Sequence, residues 1–203
     1  MKLYVFPPSP NTRKVLAVVH HLGLTPELVF VDLGKGEQMK PDFIAVNPNH
    51  MTPALEDNGF LLWESNAIMQ YLCSQKTNTL WPQDPKTQAD VARWLYWQSA
   101  HWDYACNPFT FERVVKQFMK LGDPDPNKLK EAEEKFKRFG TVLNDHLKGK
   151  KWLVGSDVTL ADFAVAAPLH YAAMAQMPLE PYQEIKRWYA QVEQLEAWKK
   201  SAS

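Results

Sequence analysis

Cysteine is scarce in this chain of 203 residues, which contains only Cys73 and Cys106. Two cysteines that are not spaced as C-x-x-C cannot form a zinc site alone, and they cannot build a disulfide framework. Without such a framework, a reducing compartment is the default expectation. The sequence therefore predicts neither a bound metal nor a fold held together by disulfides.

An excess of charge is also missing, because 23 Lys and Arg residues balance 23 Asp and Glu residues. Proteins that bind nucleic acids or membrane surfaces usually carry a basic excess. No apolar run approaches the roughly 20 residues that a membrane helix needs, and the first residues lack the apolar segment of a secretory leader. We expect a soluble cytoplasmic protein without nucleic-acid or membrane partners.

The residues that are present form two regions of different character. Hydrophobic residues make up 45% of the chain, which is typical of a globular protein. Residues 1–77 alternate short apolar runs with helical patterns, residues 78–86 form a polar, proline-broken linker, and residues 87–203 are helical throughout. The sequence predicts an α/β domain followed by an all-helical domain.

Local signals predict the order β-α-β-α-β-β-α for the first region. Two prolines stop the first strand, Ser9 caps a helix that Gly23 ends, and Asn58-Gly59 marks a hairpin. The first two strands should be parallel and the last two antiparallel. The predicted elements are strand 3–6, the helix from Pro10, strand 28–33, a short irregular helix over 37–46, the hairpin strands 53–56 and 60–63, and a helix capped by Ser65.

The second region should hold four helical blocks. Thr159 and Asp162 have the spacing of a capping box, in which the two residues satisfy free N–H groups at a helix start. The predicted blocks are a long helix or bent pair over 87–120 with a kink at Asn107-Pro108, a helix over 127–148, an Ala-rich helix that opens at Thr159, and a last helix over 182–199.

The first segment that could carry chemistry surrounds Ser9, which lies where a strand stops and a helix begins. A helix N-terminus offers free N–H groups and a partial positive charge of about +0.5, so it stabilises an anion. Ser9 is therefore a candidate for contacting an anionic group. The alternative is that Ser9 is only a helix cap.

The second segment leads from Asn47-Pro48 to Thr52-Pro53. A proline that opens a strand often marks a cis bond in a tight turn. If the Thr52-Pro53 bond is cis, the Thr52 N–H and C=O are free to pair with a peptide-like ligand as an added strand. The alternative is an ordinary edge-strand proline.

The third segment contains Glu64 and Ser65 at the start of an amphipathic helix. The Ser65 hydroxyl and N–H could bind a carboxylate, and Glu64 could pair with an ammonium group. Simple capping is the alternative. Together, the three segments suit a short, zwitterionic, thiol-bearing peptide.

These three segments resemble the cytosolic glutathione transferases, most closely the serine-type groups (phi and theta-like, including bacterial members). The Thr159-Leu160-Ala161-Asp162 capping box is similar to that of the same family. The resemblance spans the chain. It implies a thioredoxin-like N-terminal domain, an all-helical C-terminal domain and a homodimer. It also implies glutathione as co-substrate and a detoxifying conjugation of its thiolate to hydrophobic electrophiles, with hydroperoxide reduction as a second activity.

The resemblance also implies roles for individual residues. Ser9 would hydrogen-bond the glutathione sulfur, with Asn11 as a second candidate. Thr52 would bind the cysteinyl backbone beside cis-Pro53. The γ-glutamyl end would be held by Glu64 and Ser65.

The chain departs from the family pattern near the glycyl end of glutathione. It has Gln38-Met39 where phi members place His-Lys, with Lys40 next, and His50-Met51 where they have Gly-Gln. The glycyl carboxylate would then be held by Gln38, Lys40 or His50. Asn49 replaces an aromatic residue that often anchors the partner subunit.

A pocket for the electrophile should involve the aromatic-rich part of the helical region together with Pro8. The candidates are Trp102, Ala105 and Phe109, and the alternative is that they belong to the hydrophobic core. Two other functions stay open. One is a non-catalytic binding or regulatory protein with this fold, and the other is an oxidoreductase, which would need a cysteine where this chain has Ser9.

Overall fold

The structure is a computed structural model that describes residues 1–202. The chain forms two compact units. One comprises Met1–Trp81 and the segment that begins at Gln194, and the other comprises Pro82–Glu193. The sequence predicts a linker over residues 78–86 and a helical domain over residues 87–203. The last segment instead packs within the first unit.

The first unit contains a sheet of four strands in the order β2-β1-β3-β4. β1 pairs in parallel with β2 and antiparallel with β3, and β3 pairs antiparallel with β4. Asn58 and Gly59 both have positive φ at the hairpin between β3 and β4, as the Asn-Gly signal predicted. The strands are β1 (Lys2–Val5), β2 (Glu27–Phe30), β3 (Ala54–Asp57) and β4 (Phe60–Trp63).

Three helices accompany this sheet, and their order confirms the predicted β-α-β-α-β-β-α pattern. They are α1 (Pro10–Leu22), α2 (Pro41–Val46) and α3 (Ser65–Ser74). Residues of α1 and α3 such as Val15, Ile68 and Leu72 are fully buried. The irregular helix predicted over 37–46 consists of a 3-10 turn over Glu37–Met39 followed by α2.

The second unit begins with an uninterrupted helical stretch from Pro85 to Met119. It comprises α4 (Pro85–Trp97), α5 (Asp103–Thr110) and α6 (Lys116–Met119), joined by π-helical turns at Gln98–Trp102 and Phe111–Val115. Pro108, where the sequence predicts a kink, lies inside α5, so the helix does not end at the Asn107-Pro108 pair. The two π-helical turns, which are wider than α-helical turns, lie on either side of the proline.

Three further α-helices follow in this unit, and the first two match their predicted blocks. They are α7 (Pro126–Leu147), α8 (Leu160–Ala166) and α9 (Gln183–Gln194). The predicted capping box at the start of α8 is present, with Asp162 Oδ2 accepting the Thr159 N–H at 2.9 Å. The core contains Phe136, whose ring centroid lies 5.0 Å from that of Trp102 and 5.9 Å from that of Phe109.

The helix predicted over 182–199 is broken at Leu195, whose backbone is extended. The residues after the break form α10 (Glu196–Lys200), which packs on α1 within the first unit. Trp198 is fully buried there, and its ring centroid lies 4.4 Å from the guanidinium carbon of Arg13. No helix within residues 1–202 has the length and apolarity to cross a membrane.

Candidate functional site

Ser9 begins α1 with an extended backbone, as the strand-stop and Ser-Pro signals predicted. Its N–H donates to Phe6 C=O at 2.8 Å, and its Oγ accepts from Thr12 N–H at 3.5 Å. That second bond is at the long limit for a hydrogen bond, so it holds the Ser9 side chain weakly. As a hydroxyl also carries one donor hydrogen, Ser9 can donate that hydrogen to an anion at the helix start.

Thr12 stabilises the turn that places Ser9 at the start of α1. Its side chain is fully buried, and its Oγ1 accepts from Phe6 N–H at 3.3 Å. A helix start that follows two prolines has few backbone partners of its own, so this side-chain bond helps to set the entry angle of α1. Thr12 is thus a supporting residue of this helix start that no sequence pattern indicated.

Two hydrogen bonds join the N-terminal turns of α1 and α3. Ser65 Oγ donates to Asn11 Oδ1 at 3.3 Å, and Lys14 Nζ donates to Asn66 Oδ1 at 2.8 Å. The first bond brings together two residues that were predicted as site residues from separate segments. The second was missed, although Lys14 lies three residues after Asn11 and therefore on the same helix face.

Ser65 is not the cap of α3, which corrects the sequence analysis. The cap position belongs to Glu64, and no side chain caps this helix start. Ser65 is the first helical residue, and its hydroxyl is used for Asn11 instead of for its own helix. The physical reason is that the chain enters α3 one residue earlier than the pattern suggested.

Glu64 has an unusual backbone, with φ +72° and ψ +110°. Positive φ in a residue other than glycine costs on the order of 1–3 kcal/mol and occurs most often at functional sites. The Glu64 side chain is exposed and makes no capping hydrogen bond to α3. This carboxylate is therefore available to a cationic group of a ligand.

The Thr52-Pro53 peptide bond is cis, which is the alternative that the sequence analysis tied to ligand pairing. The Thr52 N–H and C=O make no hydrogen bond with any other residue of the described chain, 1–202. The Thr52 Oγ1 atom is buried and also lacks a partner among these residues. Thr52 thus offers a backbone donor and acceptor to an extended ligand.

Asn47 holds the loop that precedes Thr52. Its Nδ2 donates to Met51 C=O at 2.7 Å, and its Oδ1 accepts from Asn49 N–H at 3.0 Å. The Asn47 side chain is buried, whereas the Met51 side chain is 67% exposed. The loop conformation is therefore set by one buried amide and not by packing of Met51.

The three candidates for binding the glycyl end of glutathione differ in burial and in hydrogen bonding. Gln38 Oε1 and His50 Nδ1 are buried atoms that have no hydrogen-bond partner within residues 1–202. Lys40 is exposed, and its Nζ donates to Glu37 Oε1 at 2.8 Å. Buried polar atoms are rarely left unpaired in a native structure, so Gln38 and His50 are the better placed of the three for a polar ligand.

The residues predicted to line an electrophile pocket lie in different environments. Pro8 is exposed in the first unit. Trp102, Ala105 and Phe109 are 0% exposed in the second, and Trp102 Nε1 donates to Val165 C=O at 3.1 Å. Their side chains form the helical core, so direct contact with an electrophile would require the helices to open.

An exposed groove of about 500 Å³ runs beside α5 on the second unit. Tyr104 and Phe111 supply its apolar surface, and Asp103, Glu112 and Lys128 supply charge. The pKa of Glu112 is lowered, first by a hydrogen bond from Lys116, so this carboxylate stays ionised. The groove is the exposed aromatic surface nearest in sequence to the predicted pocket residues.

Neither cysteine has the properties of a reactive thiol. Burial raises the pKa of the Cys73 thiol to about 12 and raises the pKa of Cys106 well above its ordinary value. Reactive cysteines need the opposite, a lowered pKa and some exposure. Within residues 1–202, no group of three or more His, Cys, Asp or Glu side chains is placed to hold a metal ion.

Comparison with known proteins identifies the family of both parts of the chain. Residues 1–74 match the glutathione S-transferase N-terminal domain family, and residues 102–196 match the glutathione S-transferase C-terminal domain family. Glutathione S-transferase D6 of Drosophila melanogaster is 30% identical over 93% of this chain and 85% of its own length.

Two solved structures are similar to both units. A delta-class glutathione transferase of Nilaparvata lugens has 31% identity and a TM-score of 0.83, over 100% of this chain and 94% of its own. Glutathione transferase F7 of Populus trichocarpa has 29% identity and a TM-score of 0.91, over 99% of this chain and 97% of its own. This chain therefore belongs to the glutathione S-transferase family.

Proposed function

We propose that this protein is a serine-type glutathione transferase, in which Ser9 stabilises the thiolate of glutathione for attack on a hydrophobic electrophile. The observation that carries the proposal is the Ser9 hydroxyl at the start of α1, held only weakly by Thr12 N–H at 3.5 Å. A hydroxyl so placed can turn its hydrogen toward a sulfur anion. The other predicted groups then hold the rest of the peptide.

The energy required is modest. A free thiol with a pKa of about 8.5 is only about 3% ionised at pH 7, and lowering the pKa by about 2 units requires about 2.7 kcal/mol. One charge-assisted hydrogen bond supplies about 1.5–3 kcal/mol, and a helix N-terminus adds about 0.3–1 kcal/mol. Ser9 and the N-terminus of α1 together suffice without a general base.

The chemical step follows from the ionised thiol. The thiol proton leaves to water, and the sulfur electron pair forms a bond to the electrophilic carbon while the leaving group departs with its own bonding pair. With a hydroperoxide, the thiolate attacks one peroxide oxygen and releases the alcohol after protonation. A second glutathione thiol then displaces water from the sulfenic acid to give the disulfide.

The binding of glutathione is assigned by group. Glu64 pairs with the γ-glutamyl ammonium, and the Ser65 N–H binds the γ-glutamyl carboxylate. The Thr52 backbone pairs with the cysteinyl residue beside Pro53. Gln38 and His50, whose buried polar atoms lack partners within residues 1–202, take the glycyl end, with Lys40 at its edge.

The hydrophobic electrophile is assigned to exposed apolar surface. Pro8 is the candidate near Ser9 in sequence. In the helical unit, Tyr104 and Phe111 line an exposed groove, and the predicted pocket residues Trp102, Ala105 and Phe109 are fully buried.

We also infer a cytoplasmic homodimer, as is usual in this family. The exposed apolar side chains of the edge strand β4 support a partner surface in the first unit. Phe60, Leu61 and Trp63 are 49%, 41% and 41% exposed.

The test is the thiol pKa of bound glutathione, measured from thiolate absorbance as a function of pH. Ser9→Ala should raise this pKa by about 1–2 units and lower kcat in proportion, while the fold is retained. Ser74→Ala is the matched control, because Ser74 is an exposed serine at the far end of α3. An unchanged thiol pKa and rate in Ser9→Ala would remove Ser9 from the mechanism.

The competing function is a non-catalytic glutathione-binding protein. A panel of aromatic halides, epoxides, isothiocyanates and hydroperoxides distinguishes the two. A protein that binds glutathione but neither lowers its thiol pKa nor turns over any of these compounds would be the non-catalytic alternative.

A further inference from the structure

We propose that the exposed groove beside α5 binds organic cations, with their ammonium group on Glu112 and their apolar body on Tyr104 and Phe111. The inference deepens the proposed function, and it rests on that function for the statement that the bound compound is an electrophile. It names the class of electrophile as one that carries a positive charge. Binding to the groove needs no glutathione, so it is tested by itself.

Glu112 supplies the groove with a buried carboxylate whose two oxygen atoms have different surroundings. Its side chain is 1% exposed and lines the groove. Oε2 accepts the Asp125 N–H at 2.8 Å and pairs with Lys116 Nζ. Oε1 is buried and accepts no hydrogen bond from any residue between 1 and 202. One oxygen is therefore engaged by the protein, and the other still lacks a donor.

The Oε1 atom is suited to a charged donor. A hydrogen bond from Lys116 lowers the pKa of Glu112, so the carboxylate is ionised at neutral pH. Lys128 Nζ lies 3.7 Å from Oε1, which is too long for a hydrogen bond, and the Lys128 side chain is 60% exposed. Buried acceptors rarely remain without a donor. A ligand ammonium at hydrogen-bond distance would supply that donor and leave Lys128 in water.

The charged residues that line the groove favour a cation. They are Asp103, Glu112 and Lys128, so two negative charges face one positive charge. Lys116 pairs with the other oxygen of Glu112 and is not among the lining residues. The excess of one negative charge attracts an organic cation and repels an anion of the same shape.

Tyr104 and Phe111 give the groove its apolar wall. They are 66% and 43% exposed, and they line the groove together with Pro108. Their spacing of seven residues is about two helical turns, so the two rings lie on one side of the helical stretch. The volume of about 500 Å³ accommodates an aromatic ring with a short chain. A ligand of this kind can cover the two rings while its head group reaches Glu112.

The first experiment compares three compounds that share a phenylethyl body and differ in the head group. They are 2-phenylethylammonium, 2-phenylethanol and 3-phenylpropanoate, titrated calorimetrically into the protein without glutathione. The ammonium compound should bind, and the alcohol should bind about tenfold more weakly, because hydrogen bonds between charged groups are the stronger ones. The carboxylate compound should not bind at the concentrations that saturate the protein with the ammonium compound.

Variants locate the bound ammonium group. Glu112→Gln should raise its dissociation constant about tenfold. Lys128→Met leaves the hydrogen bonds of Glu112 intact and removes the competing cation, so it should lower that constant by a factor of about 2–5. Phe111→Ala should raise it. Glu193→Gln makes the same change of charge on an exposed residue of α9 outside the groove, and Glu64→Gln removes the carboxylate assigned to glutathione, so both should leave it unchanged.

The second experiment tests the class of electrophile. The compounds are 4-chloro-3-nitrobenzylammonium, 4-chloro-3-nitrobenzyl alcohol and 4-chloro-3-nitrophenylacetate. In each, the glutathione thiolate forms the carbon–sulfur bond and chloride leaves with the electron pair of the carbon–chlorine bond. After division by the rate without protein, the ammonium compound should have the highest kcat/KM. Glu112→Gln should reduce this preference about tenfold.

Several outcomes would overturn the inference. They are equal binding of the three phenylethyl compounds, parent binding in folded Glu112→Gln, and binding in Lys128→Met that is no tighter than in the parent. An equal loss in Glu193→Gln would assign the effect to net charge alone. Equal kcat/KM for the three electrophiles would overturn the assignment of substrate class. If the protein leaves the thiol pKa of bound glutathione at its free value while the ammonium compound still binds through Glu112, the proposed function has failed and the cation site stands.

Discussion

Trp188 Nε1 donates a hydrogen bond of 2.9 Å to Asp162 Oδ1, which ties α9 to the start of α8. The same carboxyl oxygen accepts Leu153 N–H at 2.9 Å, and Asp162 Oδ2 accepts Thr159 N–H at 2.9 Å. Asp162 is fully buried. One carboxyl group thus serves as the shared acceptor for a helix start, a loop and a second helix.

Replacing this acceptor should destabilise the helical unit strongly. Asp162→Ala leaves the Leu153 and Thr159 N–H groups and the Trp188 indole N–H without their acceptor, and each unsatisfied buried group costs about 1–3 kcal/mol. We expect a loss of about 3–5 kcal/mol in the free energy of unfolding, or a fall in Tm of roughly 10 °C for a chain of this size. Differential scanning calorimetry measures it.

The control for this prediction is Asp157→Ala, because Asp157 is exposed in the same loop. An exposed substitution away from such contacts usually changes stability by less than about 0.5 kcal/mol. The folded fraction of Asp162→Ala should keep the parent affinity for glutathione in calorimetric titration. A variant with the parent Tm and no glutathione binding would make Asp162 a site residue and contradict its structural role.

The buried carboxyl of Asp162 should also make stability depend on pH. Burial raises its pKa to about 6, against an ordinary value of 3.8. Four hydrogen bonds oppose the rise, two from Thr159 and one each from Leu153 and Trp188. Because the folded pKa is the higher one, the stabilising contribution is complete below about pH 3.8 and is lost as pH rises through about 6.

The measurement is a comparison of the parent with Asp162→Asn, which cannot ionise. Between about pH 5 and pH 8, the parent should lose about 1.4 kcal/mol of unfolding free energy relative to the variant, since at pH 5 the native pKa lies about one unit above the pH. Urea unfolding at several pH values gives the difference. A difference that is constant across this range would show that Asp162 does not titrate there.

Local sequence signals predicted much of the fold and part of the site. Pro7-Pro8 and Ser9-Pro10 are strong short-range signals for a strand end and a helix start, and Asn58-Gly59 is a strong signal for a hairpin. These rules work because each depends on the backbone preferences of one or two residues. The Ser9 cap and the order of the elements along the chain followed from them.

Contacts between distant residues could not be predicted in the same way. The Ser65–Asn11 bond joins positions 54 residues apart, and no local rule gives Glu64 a φ of +72° and moves the helix start by one residue. The break at Leu195 was missed because the apolar periodicity continues across it. After the break, Trp198 packs against Arg13, a contact that only the folded chain brings together.

The exposed edge strand β4 gives a prediction about assembly. Trp63 is 41% exposed at the end of this strand, and the Phe60 ring contacts that of Tyr71 of α3 in a tilted arrangement, with ring centroids 5.4 Å apart. Trp63→Glu places a charge on this apolar surface, so we expect the proposed homodimer to dissociate to monomers at micromolar concentration. Analytical ultracentrifugation reports the mass.

Leu28→Glu is the comparison variant for the assembly prediction. Leu28 is 53% exposed on β2, the opposite edge of the same sheet. Its substitution also replaces an exposed apolar side chain with a carboxylate. The Leu28→Glu variant should remain a dimer. Dissociation of Leu28→Glu with an intact Trp63→Glu dimer would move the subunit interface to the other edge.

The two cysteines provide the last prediction, which separates transfer by a bound thiol from chemistry at a protein thiol. Burial raises the pKa of Cys73 to about 12 and that of Cys106 well above its ordinary value, so neither is ionised near neutral pH. Native protein should therefore react with a thiol-specific disulfide reagent only at the rate of unfolding, and denatured protein should expose two thiols.

The Cys73→Ala and Cys106→Ala variants each open a small cavity and should lower Tm by a few degrees. Both should keep the parent kcat for conjugation of glutathione, since Ser9 and not a cysteine lies at the start of α1. If either variant lost turnover while it remained folded and still bound glutathione, the protein thiol would be part of the reaction and the serine-type mechanism would fail.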